Sequence, residues 1–197
     1  VAEDGDGSLR HIAFKDVDNF NFAYDVVDRL GRTKPDKLAM LHVDRHKVER
    51  RFTFSDMRKM SARAANYFRS LGIGRGDRVM LVLRRNWQFW PILLGLEKLG
   101  AVAVPAVDQL HEKDYSYRFE VAGISAIVCS SDGESIAQAT PAIESYGKIR
   151  VRISANGSAP GWHFFDEEFL RYSSHYEPDP DDAPGGDDLM MAIFTSA

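Results

Sequence analysis

Cysteine is nearly absent from this chain. Cys129 is the single one among 197 residues, so no intrachain disulfide can form, and its apolar setting AIVCS reads as a reduced core thiol rather than a nucleophile. An excess of positive charge is missing too: 25 Lys and Arg stand against 29 Asp and Glu, for a formal net charge of -4. A polyanion needs a concentrated basic field, so nucleic acid is excluded as the default partner. No apolar run approaches the roughly 20 residues of a membrane-spanning helix. The opening VAEDGDGSLR has neither the basic nor the apolar segment of a secretory signal. These absences favour a cytoplasmic setting, with an organellar matrix left open should a leader have been removed, and they make the glycosylation pattern Asn156-Gly157-Ser158 accidental. Internal repeats are also lacking.

What is present is ordinary globular material, 44% hydrophobic and 27% charged, which excludes disorder over most of the length. Phe20, Tyr24, Val27 and Leu30 predict an amphipathic helix ending near Gly31. AMLHV and ERRFTF predict two strands around a polar turn. Ser55 reads as the cap of a long helix with Met57, Met60, Ala64, Tyr67, Phe68 and Leu71 on one face and Arg58, Lys59, Arg63 and Arg69 on the other. Gly72 closes that helix, and Gly74 and Gly76 turn the chain into a buried strand at Val79 to Leu83. A dinucleotide fingerprint has its glycines after a strand and before a helix; here the order is reversed. Asn86 reads as the cap of an apolar helix through Trp87, Trp90, Leu93, Leu94 and Leu99, with Pro91 in its first turns.

AVAVPAV, AIVCS and KIRVRIS are further strands, separated by helices around 113 to 122 and 134 to 146, the second interrupted or ended by Pro141. Near-continuous apolar strands alternating with helices give an α/β fold, layered, with a predominantly parallel sheet flanked by helices. A short helix near Asp166 to Tyr172 precedes the loop HYEPDPDDAPGGDD. Leu189 to Phe194 then reads as a buried strand ending in two hydroxyls, Thr195 and Ser196.

Complete catalytic machinery is not legible. His42 and His46 flank a turn without further ligands, so no metal site is assigned. Asp179, Asp181, Asp182, Asp187 and Asp188 form an acidic cluster that lacks the periodic loop of a calcium site and reads as a solvated linker. No serine has a placed histidine and acid.

The succession of motifs resembles the start of the adenylate-forming acyl-CoA synthetase superfamily, which includes luciferases and nonribosomal-peptide adenylation domains. RFTFSDM at 51 to 57, LGIGRGDRVMLVLRRN at 71 to 86 and LEKLGAVAVPAV at 96 to 107 are similar to its successive early segments. DQLHEKDYSYRFEVAGISAIVC at 108 to 129 narrows the resemblance to the acetyl- and medium-chain branch. The resemblance implies an N-terminal extension at 1–19 and a partial large domain at 20–197, with an acidic Pro/Gly-rich loop at 175–188 and the C-terminal domain absent. It also implies that Thr195 and Ser196 begin a loop that contacts the ATP phosphates. Ala197 stands where the family has glycine, a departure that would restrict the close backbone approach of an anion-binding loop.

By the same resemblance, the full protein would use ATP and Mg2+ to turn a carboxylic acid into an acyl-adenylate and pass the acyl group to coenzyme A. Residues 1–197 alone are expected to be inactive. Their partners would be the carboxylic acid and the remainder of the synthetase, with homo-oligomerisation left open. Two alternatives stand beside this: an amino-acid or aryl-acid adenylation domain serving a carrier protein, and a truncated noncatalytic protein that binds a partner through its sheet edge.

Overall fold

The computed structural model describes residues 2–3, 5–6, 8–11 and 17–195. Strands β1 (Ala2–Glu3) and β2 (Leu9–His11) pair antiparallel. A 3-10 turn, Val17–Asn19, is followed by a π-helix, Ala23–Asp28, that runs into α1, Arg29–Thr33. The apolar stripe expected here is shifted: Ala23 and Val27 are buried, but Phe20 lies at the surface. Nor does Gly31 end the helix. It lies inside α1, where an added Cβ would come within 2.8 Å of the Phe54 carbonyl oxygen, so glycine serves close helix approach.

The antiparallel hairpin of β3 (Leu38–Val43) and β4 (Glu49–Thr53) is as the alternating sequence predicts. It leads directly into α2, Phe54–Ser70. Here the cap is Thr53 rather than Ser55. The last strand residue keeps extended backbone angles, which lets its hydroxyl accept from Asp56 N–H at 3.2 Å while the Asp56 carboxylate accepts from Thr53 N–H at 2.8 Å. Met57, Ala64, Ala65, Tyr67 and Phe68 form the buried face. Gly72, at φ +76°, closes the helix while Ile73 N–H donates back to Phe68 O at 3.0 Å.

Strand β5 (Arg78–Val82) precedes α3 (Phe89–Leu99), whose N-cap position is Gln88. Asn86 does not cap it; its side chain accepts instead from Ser130 Oγ at 2.9 Å. Trp87 stacks on Phe52 with ring centroids 5.4 Å apart, whereas Trp90 is half exposed and packs edge-on with Phe89. There follow β6 (Val102–Pro105), α4 (Glu112–Ala122), β7 (Ala126–Ser130), α5 (Ser135–Tyr146), β8 (Val151–Ala155), β9 (His163–Phe164) and α6 (Phe165–Glu168), extended by a 3-10 turn to Arg171. Helix α5 runs through Pro141 without ending. The proline forfeits one backbone bond, while Ala139, Ala142 and Ile143 keep the helix seated in the core.

The main sheet has the order β6-β5-β7-β8-β9, parallel throughout. Because successive strand residues point to opposite faces, Val79 and Leu81 join α2, α3 and α6 on one side, and Met80 and Val82 join α4 and α5 on the other. Both faces are buried, which is why these strands are apolar without alternation. This is the α/β layering expected from the sequence.

Two expectations near the end of the chain need correction. The acidic loop is not simply solvated: Arg75 holds the Asp188 carboxylate with two nitrogens at 2.9 and 3.0 Å and reaches Asp182 at 3.3 Å. Leu189 to Phe194 is not a buried strand either. It makes one parallel bridge, Met191 to Ala103, and Leu189, Met190 and Ile193 are exposed at 54%, 45% and 66%. The segment lies outside β6, so among the described residues it has a neighbour on one side only.

Candidate functional site

In an open parallel sheet, ligands bind where the carboxyl ends of the strands release loops. That edge holds a group of polar residues bonded to one another and to the strand-end loops. Arg84, two residues past β5, places Nε 2.6 Å from the Asp108 carboxylate beyond β6, and its Nη1 donates to the Asp132 carbonyl beyond β7 at 3.3 Å. Ser130, the last residue of β7, donates to Asn86 and lies against the Asp132 carboxylate. Asp166 on α6 accepts from Gln88 Nε2 at 2.6 Å and from Asn156 N–H, just past β8, at 2.9 Å. The three carboxylates and the guanidinium are thus each held by a neighbouring side chain or by backbone. They brace the loops and leave no free nucleophile or base among themselves.

None of these residues was read as a site residue in the sequence; Asn86 and Asp166 entered there only as helix boundaries. The available signal was positional: Arg84, Asn86, Asp108, Asp132 and Asn156 each follow an apolar strand by one to four residues. Which of them meet depends on a sheet order that the sequence does not spell out.

The segment Leu189 to Thr195 comes to the same edge from outside β6. Ala103 N–H donates to Met190 O and Ala192 N–H to Ala103 O, both at 3.0 Å. Since Met191 lies beside Ala103 in parallel register, the segment runs in the same direction as β6 and leads Thr195 toward the strand-end edge. Its side chain is exposed. Phe194 turns inward against α4, with the Tyr117 ring edge-on at 6.1 Å and the Arg118 guanidinium 5.1 Å over its face. Of the two expected phosphate-contacting residues, Thr195 is exposed one residue past Phe194; Ser196 lies outside the described residues, as does Ala197.

Other candidates resolve as structural groups. Cys129 is fully buried, and burial pushes its thiol well above the ordinary range, which suppresses the thiolate. His42 binds the Arg85 carbonyl at 2.9 Å, and His46 accepts from Arg45. Among the described residues no group of three or more His, Cys, Asp or Glu could hold a metal ion. In the acidic loop, the Gly185 N–H and then Arg75 hold the Asp188 carboxyl below its usual range.

A family model described as AMP-binding enzyme matches residues 27–197. The chain belongs to this family. Relatives within it include rat mitochondrial acyl-coenzyme A synthetase ACSM5, 34% identical over 165 residues that make up 79% of this chain and 28% of the relative. Long-chain-fatty-acid–CoA ligase FadD13 of Mycobacterium tuberculosis is 30% identical over 146 residues, covering 74% of this chain and 27% of the relative. Among solved structures, an acyl-CoA synthetase of Brucella canis superposes with a TM-score of 0.75 at 23% identity, over 94% of this chain and 33% of that one. The chain therefore spans about a third or less of the AMP-binding enzymes it matches, and the likeness to the Brucella protein speaks to the fold alone.

Proposed function

We propose that residues 20–197 form the first part of the large domain of an AMP-forming acid–thiol ligase. The whole protein would join a carboxylic acid to ATP as an acyl-adenylate, releasing pyrophosphate, and then transfer the acyl group to coenzyme A. Residues 1–197 by themselves would be inactive. The observation that supports this most is the AMP-binding family match across 27–197, beside which stands the parallel bridge that joins the segment before Thr195 to β6. The identity to ACSM5, a mitochondrial acyl-coenzyme A synthetase, supports the acyl-CoA reading and is compatible with an organellar matrix, while a medium-chain or other small acid rests on the resemblance of residues 108 to 129.

On this reading Thr195, and Ser196 after it, would face the ATP phosphates: an exposed hydroxyl at the end of an anchored segment is a suitable donor to a phosphate oxygen. The described residues do not fit a resident magnesium site. Mg2+ would enter with the nucleotide, bound chiefly by phosphate oxygens and water, as is usual for this ion. The chain's own contribution is positional. The paired groups Arg84–Asp108 and Asp166–Gln88 hold the strand-end loops in fixed relation, and fixed geometry is what aligns two reactants for acyl transfer.

Intact mass and peptide sequencing across Ala197 of the protein purified from its natural source decide the first part of this. A chain about three times as long, in proportion to the Brucella synthetase, is expected. Pyrophosphate release from that protein with ATP, magnesium and a graded series of acids then reports the substrate. Strong release with medium-chain acids supports the reading. Release only with an amino or aryl acid, with no thioester formed on coenzyme A, replaces it by an adenylation domain.

A further inference from the structure

Beyond the bridge at Met191, the hold on the segment that delivers Thr195 is thin. The N–H of Ala192 makes its last backbone hydrogen bond among the described residues, and Ile193, next in line, is 66% exposed. Phe194 is then the one apolar anchor before the hydroxyl. Its ring packs on the α4–α5 side of the sheet and is contacted from two directions by one turn of α4.

Of the two α4 residues, Tyr117 is 60% exposed, so its ring is a partial wall. Arg118 is the more constrained. Its Nη1 donates to the Asp114 carbonyl one turn back at 3.0 Å, and its Nε is buried without a hydrogen-bond partner among the described residues. The guanidinium leaves a buried nitrogen unbonded and lies 5.1 Å over the Phe194 ring, so the ring contact joins the Asp114 carbonyl in setting its place. Asp114, in turn, closes the start of α4 by accepting from the His111 N–H at 3.0 Å.

We propose that Arg118 is a positioning residue: through its stack on Phe194 it clamps the end of the late strand to α4 and thereby sets where Thr195 stands. This rests on the reading of Thr195 as a phosphate-contacting residue for its catalytic consequence, but the clamp itself is independent of that reading. The consequence is selective. Loosening the clamp impairs adenylation, which depends on ATP placement, and spares transfer of a preformed acyl-adenylate to coenzyme A, which does not.

Two measurements separate the parts. In the 197-residue chain, hydrogen–deuterium exchange of the peptide covering 190–195 is expected to speed about fivefold or more in Arg118→Ala, with β7 at 126–130 unchanged; equal exchange in variant and wild type overturns the clamp. In the natural full-length protein, Arg118→Ala is expected to lower kcat/KM for ATP about tenfold with the thioester half-reaction within twofold, and Arg118→Lys to recover part of the loss. Phe194→Leu should cost a similar factor, and the double variant no more than the larger single loss, because both act through one contact. Equal loss in both half-reactions, or multiplicative losses in the double variant, overturns the positioning role. A wild-type protein that releases no pyrophosphate with any acid removes the functional reading instead, while the exchange result still decides the clamp.

Discussion

At the scale of single residues, Glu97 is the group whose ionisation should be felt in folding. It sits on α3 with only 7% of its surface exposed, in the wall of a small cavity of about 130 Å³ beneath the Gly185–Met190 stretch. Burial raises its pKa to about 7 from an ordinary 4.5, partly offset by hydrogen bonds from the N–H groups of Ala23 and Phe22 and by Lys98. A carboxyl with a raised folded pKa binds its proton more tightly in the folded state. Stability is therefore highest below about pH 4.5, where both states are protonated, falls as pH rises between 4.5 and 7, and stays at its lower level above. Glu97→Gln keeps an oxygen for the two N–H groups and removes the charge. It should raise stability by roughly 1–3 kcal/mol at pH 8 and flatten this part of the pH profile. Urea unfolding at pH 4.5, 6 and 8 measures it, and an unchanged slope between 4.5 and 7 would show that the carboxyl is hydrated.

At the scale of elements, the start of α2 tests how helices are entered here. If the Thr53–Asp56 reciprocal pair is the cap, Thr53→Ala should cost about 1 kcal/mol and Ser55→Ala only a few tenths. Thermal unfolding of the two variants side by side makes the comparison, and equal losses would return the cap to Ser55. The pair also shows what reading a sequence can and cannot do. Types and order of elements were legible because apolar strands buried on both faces, such as VMLV and AIVC, carry their own signal. Ends were not. Thr53 looks like a strand residue and Asn86 like a cap until tertiary contacts decide: Thr53 is both the last residue of β4 and the cap of α2, and Asn86 turns to Ser130, 44 positions along the chain. The candidate site divides the same way. Thr195 is proposed from a local pattern and a resemblance, whereas Arg84 with Asp108 was hidden because their meeting is set by β5 and β6 lying side by side. Leu189 to Phe194 was misread for the converse reason: an apolar run predicts burial, but a run on the outer side of the edge strand buries only the residues that face inward.

At the scale of the whole molecule, two features join the parts and both can be tested. The first is the ion pair between Asp28, at the end of the π-helix, and Lys98 on α3, with Nζ 2.8 and 2.9 Å from the two carboxylate oxygens and Lys98 1% exposed. Burial pulls the Lys98 pKa down, and Asp28 opposes that. Asp28→Asn leaves the ammonium buried without its counter-charge and should cost about 3–5 kcal/mol, whereas replacing both by apolar residues, Asp28→Leu with Lys98→Met, should cost far less. Denaturant unfolding of the single and double variants checks this; a double variant as damaged as the single would mean that packing, not charge, holds the N-terminal helix on α3.

The second feature is the outer flank of β6. Leu189, Met190 and Ile193 are exposed on a segment whose other backbone side has no partner among the described residues. An unpaired, apolar, extended edge is a template for a second strand, and nothing charged lies between Leu189 and Phe194 to discourage it. The 197-residue chain produced alone should therefore self-associate as its concentration rises, through pairing of this segment rather than through the polar strand-end loops. Light scattering on a dilution series, compared with a Leu189→Lys, Ile193→Lys variant, tests the route. The two lysines should shift the chain to a monomer without lowering its melting temperature, because both side chains already face water. If the variant associates as strongly as the wild type, the adhesive surface lies elsewhere, and the exposed Tyr117 and Val121 of α4 would be the next to change.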